Sequence, residues 1–201
     1  MPSTAVQWLN QFEFEDAILR SEQVRKPVLL DFHDPACKGC QRLDEQVYSA
    51  PSIVGAITDH AIPVRIVVTG VDAVSTGIIN AYISISTPSI QLLSPQRTVY
   101  HYFRGCPRLT VLCAKQIAQG KHRVYRESVG HLSPELFLTQ LSLGLGKRAL
   151  QLQQLAFGSK LFQQVIAEAR DDEAAGEARF WQSVVRSRAA VPGAALPEVQ
   201  V

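Results

Sequence analysis

Two cysteines separated by two residues, Cys37-Lys38-Gly39-Cys40, follow an apolar run that holds a single acid, Asp31 in Val28-Leu29-Leu30-Asp31-Phe32. These are the residues whose types and spacing suit chemistry, and the chemistry is thiol–disulfide exchange. Pro35 and Ala36 end the apolar run, and the following stretch carries Leu43, Val47 and Tyr48 at helical spacing, so Cys37 stands at or just before a helix start. Unsatisfied backbone N–H groups and the positive end of the helix dipole favour a thiolate there. Cys37 is the expected nucleophile. Cys40 lies across the opening turn, within reach of a mixed disulfide formed at Cys37, which makes it the resolving thiol. The same spacing also serves as half of a zinc site, so it decides little without its context. Asp31 is part of that context, because a lone carboxylate in a buried strand is costly unless it has a task or a partner.

Lys26-Pro27-Val28-Leu29-Leu30-Asp31-Phe32 followed by Cys-x-x-Cys resembles the thioredoxin-like proteins, whose buried aspartate lies six residues before the first cysteine, as Asp31 does before Cys37. Thr87-Pro88-Ser89-Ile90-Gln91-Leu92-Leu93, a proline opening a strand, is similar to the family's second mark. The resemblance runs over about 15–147 and includes 42–48, 62–68 and 129–137. It implies an α/β thioredoxin-like fold, a central mixed sheet flanked by helices. It implies a cis Pro88 beside the dithiol and a Thr87 backbone able to pair with an extended peptide. Ala36, Lys38 and Gly39 complete the implied substrate surface, and Asp31 is implied to relay a proton to or from Cys40.

Three positions depart from the family. Ala36 replaces the usual Trp before the first cysteine, which removes a large apolar contact beside the reactive sulfur. Glu45 replaces the common proline five residues after the second cysteine, so no proline kink is expected in this helix. Lys38-Gly39 replaces Gly-Pro; redox potential depends on this pair and on the local field, so the dithiol alone leaves reductant and oxidant both open.

Composition is that of an ordinary globular chain of 201 residues with a formal net charge of +2, which points to neither nucleic acid nor an anionic membrane surface. The first ten residues lack a basic region followed by a long apolar run, so no signal peptide or membrane span is expected, and a cytoplasmic location is. Periodicity predicts a short edge strand over 6–9, with Trp8 and Phe12 as packing residues. A helix over 13–24 follows, with Phe14, Ala17, Ile18 and Ser21 on one face. Strands at 28–32 and 62–68 form an expected parallel pair joined by helical crossover. A helix over 72–84 leads to Pro88, and 89–93 with 98–103 reads as a hairpin. The expected organisation is a thioredoxin-like domain over 1–147 with an inserted helix at about 104–121 and a further candidate strand at 122–128. The glycines of Gly144-Leu145-Gly146 mark the expected end of its last helix; a helical hairpin over 148–190 and a disordered tail over 191–201 follow. The hairpin loosely resembles one tetratricopeptide-type unit and cannot bury its own apolar face, so it is expected to dock on the preceding domain or on another chain, the short connection favouring the first.

Cys106 and Cys113 lie on one face of the inserted helix and read as small buried apolar residues, with regulatory thiols or metal ligands as the other reading. His33, four residues before Cys37, is either a tuning group for its thiolate or a surface or hydrogen-bonded histidine; His131 has a poorer claim. The expected activity is a thiol–disulfide oxidoreductase acting on protein disulfides, with electrons from a dithiol reductase or a small thiol and no metal or organic cofactor. A non-catalytic adaptor built from the domain and the hairpin is the alternative.

Overall fold

The computed structural model describes residues 5–70, 72–82, 87–103, 132–170 and 172–190. Four strands, β1 (Val28–His33), β2 (Ile62–Val67), β3 (Ser89–Leu93) and β4 (Val99–Tyr102), form one mixed sheet in the order β2-β1-β3-β4. β1 pairs parallel with β2 and antiparallel with β3, and β4 closes the predicted hairpin. Every residue of β1 is buried, as a strand flanked on both edges and covered on both faces must be. The 6–9 segment makes a single parallel bridge, Leu9 to Val64, rather than a strand.

Strand alternation divides the core. Val28, Leu30 and Phe32 face one side with Ile62, Val64 and Ile66, against α1 (Phe14–Val24) and Ile78 of α4 (Ala73–Ala81). Leu29 faces the other side with Ile90 and Leu92, against Leu43, Ile53 and Ile57, the last two from α3 (Pro51–His60), and against Phe137 and Leu141 of α5 (Pro134–Gln151). The four buried residues of α1 are the predicted Phe14, Ala17, Ile18 and Ser21. Asp31 and His33 belong to the α3 and α5 side with Leu29, since they alternate with the other set.

The helix after the dithiol is in two pieces. α2 (Lys38–Arg42) is followed over Leu43–Val47 by a π turn, closed by Tyr48 N–H to the Leu43 carbonyl at 2.8 Å. A helix without a proline kink is therefore still irregular here, widened by one residue instead of bent.

α5 does not stop at its glycines. It continues through Gly144 and Gly146 to Gln151. These glycines serve close approach: a Cβ on Gly144 would collide with Leu92 and lie 3.1 Å from His101, and one on Gly146 would lie 2.5 Å from the Phe162 ring. α6 (Leu155–Glu168) and α7 (Asp172–Ala190) form the helical hairpin, and it docks on α5 through Leu143, Leu150, Phe162, Val165, Ala178, Trp181 and Val185. Lys147 joins the layers, at 3.1 Å from His101 Nδ1 and in an ion pair with Glu177. The inserted helix, the 122–128 strand, Cys106, Cys113, His131 and the 191–201 tail all fall outside the described residues.

Candidate active site

Beyond β1 the chain turns on Asp34, whose carbonyl accepts from Cys37 N–H at 2.9 Å and whose Oδ1 accepts from Ala36 N–H at 2.8 Å. That turn delivers Cys37 to the position just before α2, with extended backbone, and Cys40 to its interior. The two sulfurs meet different surroundings. Cys37 is half-buried; burial pushes its thiol up, but N–H groups of Cys40 and Gly39, the Thr87 side chain and the Cys40 thiol together bring it below the ordinary value. Cys40 has no exposed surface, and burial, with the Cys37 and Asp31 charges, pushes its thiol up to about 12. Its contact with backbone is from Asp34 N–H, at 3.4 Å.

Pro88, after a cis peptide bond, is buried and packs over Gly39, where a Cβ would lie 3.0 Å from its Cδ and 3.6 Å from Cys37 Sγ. Gly39 keeps the dithiol turn thin enough for that ring. The Cys37 thiol lies 3.5 Å from the Thr87 carbonyl, so Thr87 and Pro88 border the reactive sulfur. Ala36 and Lys38 are exposed beside it, with Gly39 half-buried between the cysteines.

Asp31 is fully buried, and its partner comes from the next strand. The parallel register sets Arg65 opposite Asp31 on the same face, and Arg65 Nε donates to Asp31 Oδ2 at 2.9 Å. Burial nevertheless dominates, with Asp44 adding to it and Arg65 opposing, so the carboxyl is raised to about 6. Arg65 Nη2 also donates to Asp44 Oδ1, at 2.7 Å, from within the π turn. Its guanidinium lies over the Trp8 ring, 4.4 Å from the centroid, and 5.4 Å from that of Tyr48. The bridge at Leu9 is what brings Trp8 there, so this aromatic residue holds a cation as well as packing. His33, a predicted tuning group for Cys37, turns its ring instead toward carboxylates, with Nδ1 3.9 Å from Asp31 and Nε2 3.6 Å from Asp44. Burial, then Arg65, depress its pKa, against Asp44 and Asp34.

Sequence reasoning does not single out Arg65, Asp44, Trp8 or Tyr48 as site residues. A signal existed for Arg65: each of the two apolar strands carries one charge, at its fourth residue, and parallel pairing in register brings the two charges together. Asp44 offered no such mark, since its reach depends on the π turn.

Residues 7–95 match the family model described as thioredoxin-like. This segment is thioredoxin-like. Among solved structures, the thioredoxin-like segment and its surroundings are similar to a DsbH oxidoreductase, at 14% identity and TM-score 0.44, covering 50% of this chain and 74% of that one. A disulphide isomerase from Xylella fastidiosa Temecula1 is similar at 22% identity and TM-score 0.40, covering 45% and 70%. The reduced DsbD C-terminal domain of Neisseria meningitidis is similar at 14% and 0.42, covering 58% and 99%. No curated protein matches the sequence. Among the described residues no helix is long and apolar enough to cross a membrane.

Proposed function

We propose that this protein is a thiol–disulfide oxidoreductase that exchanges protein disulfides through Cys37 and Cys40. The observation that carries the reading is the contrast between the two sulfurs. Cys37 is reachable and its thiol is lowered, whereas Cys40 is buried and its thiol raised to about 12, by burial first and with Asp31, itself raised to about 6, among the charges that add to it. Such a pair has a ready attacker and a held resolver.

In the reducing direction, Cys37 thiolate attacks one sulfur of a substrate disulfide. One S–S bond forms, the substrate bond breaks, and the first substrate thiolate leaves and takes a proton from water. Cys40 then gives its proton to Asp31 and attacks Cys37 Sγ, which leaves a Cys37–Cys40 disulfide and expels the second substrate sulfur as a thiolate that takes a proton from water. Two electrons have passed to the substrate; a dithiol protein or a small thiol restores them. Thr87 and Pro88 border the sulfur under attack, and an extended peptide pairing with Thr87 backbone fits that border. Ala36 leaves it open on the side facing solvent. The reaction is complete with two sulfurs and one proton acceptor.

Insulin reduction in the presence of dithiothreitol, followed by turbidity, tests the reading. Wild type accelerates precipitation and the Cys37→Ser, Cys40→Ser double variant does not. Equal rates for the two proteins would transfer the case to the adaptor.

A further inference from the structure

Each closure of the Cys37–Cys40 disulfide leaves a proton on Asp31, which has no exposed surface. With its carboxyl raised only to about 6, Asp31 gives that proton up to water at pH 7 and above, and must regain one when the disulfide reopens. His33 lies two residues along β1 on the same face, between two carboxylates: Nδ1 is 3.9 Å from Asp31 Oδ2 and Nε2 is 3.6 Å from Asp44 Oδ2. Side-chain exposure rises along the three, from 0% at Asp31 through 7% at His33 to 40% at Asp44. Asp31 Oδ1 and His33 Nδ1 are both buried without a hydrogen-bond partner among the described residues, so one acceptor on each group is uncommitted. Arg65 braces both carboxylates, through Nε on Asp31 and Nη2 on Asp44, but a guanidinium does not deprotonate in this pH range and cannot itself pass the proton on.

We propose that His33 carries protons between Asp31 and solvent, with Asp44 as the outer acceptor. The inference rests on the oxidoreductase reading above. When Cys40 closes the disulfide, the Asp31 proton enters His33 at Nδ1 and a proton leaves Nε2 for Asp44 and then water. When a donor dithiol reopens the disulfide, Cys40 must be reprotonated, and the transfer runs inward, into Nε2 and out of Nδ1 to Asp31. One proton crosses in each half-reaction, and the ring tautomer is restored over the full cycle. The 3.6 and 3.9 Å separations exceed a hydrogen bond of about 2.9 Å by roughly 0.7 and 1 Å, which rotation of the ring and carboxylates closes. His33 is in this role a positioning and proton-carrying group acting through Asp31. The charged groups around it, Asp31 and Asp34 on β1 and its exit, Arg65 on β2 and Asp44 on the π turn, depress its protonation on balance with burial. The ring is therefore neutral at pH 7, with a nitrogen able to accept.

The test is reopening of the full-length protein's disulfide by dithiothreitol, after its closure on a fluorogenic disulfide peptide, in H2O and in D2O, over pH 6–9. In His33→Gln the reopening step should slow about tenfold at pH 7, less than the loss of a group acting directly on the reacting atoms, since His33 acts through Asp31. Its solvent isotope effect should grow, added imidazole should restore part of the rate, and Cys37 alkylation should be unchanged. Asp44→Asn, altered at the exposed end, should show the same pattern at about threefold, and it decides the matter if His33→Gln does not fold. A normal reopening rate and pH profile in these variants, beside slow reopening in Asp31→Asn, overturns the proposal alone. So does slowing that responds to neither imidazole nor D2O. If wild type leaves the peptide disulfide intact, the oxidoreductase reading itself falls and takes the proposal with it.

Discussion

Replacing Asp31 with Asn removes a buried charge that the fold tolerates only at a cost. The carboxyl is raised from 3.8 to about 6 in the folded state, so the folded protein binds this proton more tightly than the unfolded chain does. Ionisation therefore weakens the fold. The penalty is absent below about pH 4, grows through the interval between the two values, and is complete once Asp31 is fully ionised, above about pH 7. Each tenfold gain in proton affinity is worth about 1.4 kcal/mol, so the full penalty is about 3 kcal/mol. Asn matches the protonated carboxyl in shape and carries no charge. Asp31→Asn should therefore be more stable than wild type by about 3 kcal/mol at pH 8 and about equal to it at pH 4. Urea unfolding of the reduced proteins at half-unit pH steps, followed by Trp8 and Trp181 fluorescence, reads the difference directly. The same substitution should slow disulfide exchange at neutral pH, so stability and turnover move in opposite directions. A stability difference that does not change with pH, or a wild type that is the more stable at pH 8, refutes the assignment of burial as the dominant cause.

Iodoacetamide at pH 7 should modify Cys37 well ahead of Cys40, as mass mapping of a time course will show; labelling of Cys40 first would reverse the assignment of attacker and resolver. Arg65→Met strips Asp31 of its counter-charge, and breaking such a buried pair should destabilise the protein by about 3 kcal/mol at pH 8. The loss should shrink below pH 6 as Asp31 takes up its proton, and urea midpoints at the two pH values measure it. Gly146→Ala drives a methyl group against the buried Phe162 ring, and overpacking of about 2 kcal/mol exceeds the roughly 1 kcal/mol that Ala gains over Gly in a helix, so it should unfold more readily. Gly176→Ala, with open space around the added carbon, should instead be stabilised by about that propensity gain, and thermal melts of the pair give opposite shifts.

The dithiol, the acid before it and the strands on which they stand were legible because each has a local mark: a spacing, a charge in an apolar run, a proline at a strand start. The surroundings of Asp31 were less so. Arg65 meets it only through strand register, Trp8 meets Arg65 only through the bridge at Leu9, and Asp44 depends on a π turn that its residues do not announce. The glycines of α5 misled for a related reason. Glycine ends helices by its backbone freedom, but it also sits where a neighbour leaves no room for a side chain, and only the packed structure tells the two apart. The helical hairpin was readable from its apolar face and its polar break at 171–172, while the helix that it docks on was expected to have ended already.

The continuity of α5 bears on how the chain assembles. Phe137 and Leu141 of this helix close one face of the sheet, while Leu143 and Leu150 receive the hairpin, so two cores share one wall. The α5–α6–α7 contacts join neighbours in sequence and carry a small loop-closure cost, whereas the sheet must bring β3 beside β1 across some sixty intervening residues. As the chain emerges from a ribosome, its strands appear first but lack their cover until α5 follows. α5 in turn packs against the hairpin that follows it. The reactive N-terminal part thus waits on the C-terminal end of the chain for a finished core, and pulse-labelled hydrogen exchange during refolding should find the α5–α7 amides protected no later than those of β1 and β3.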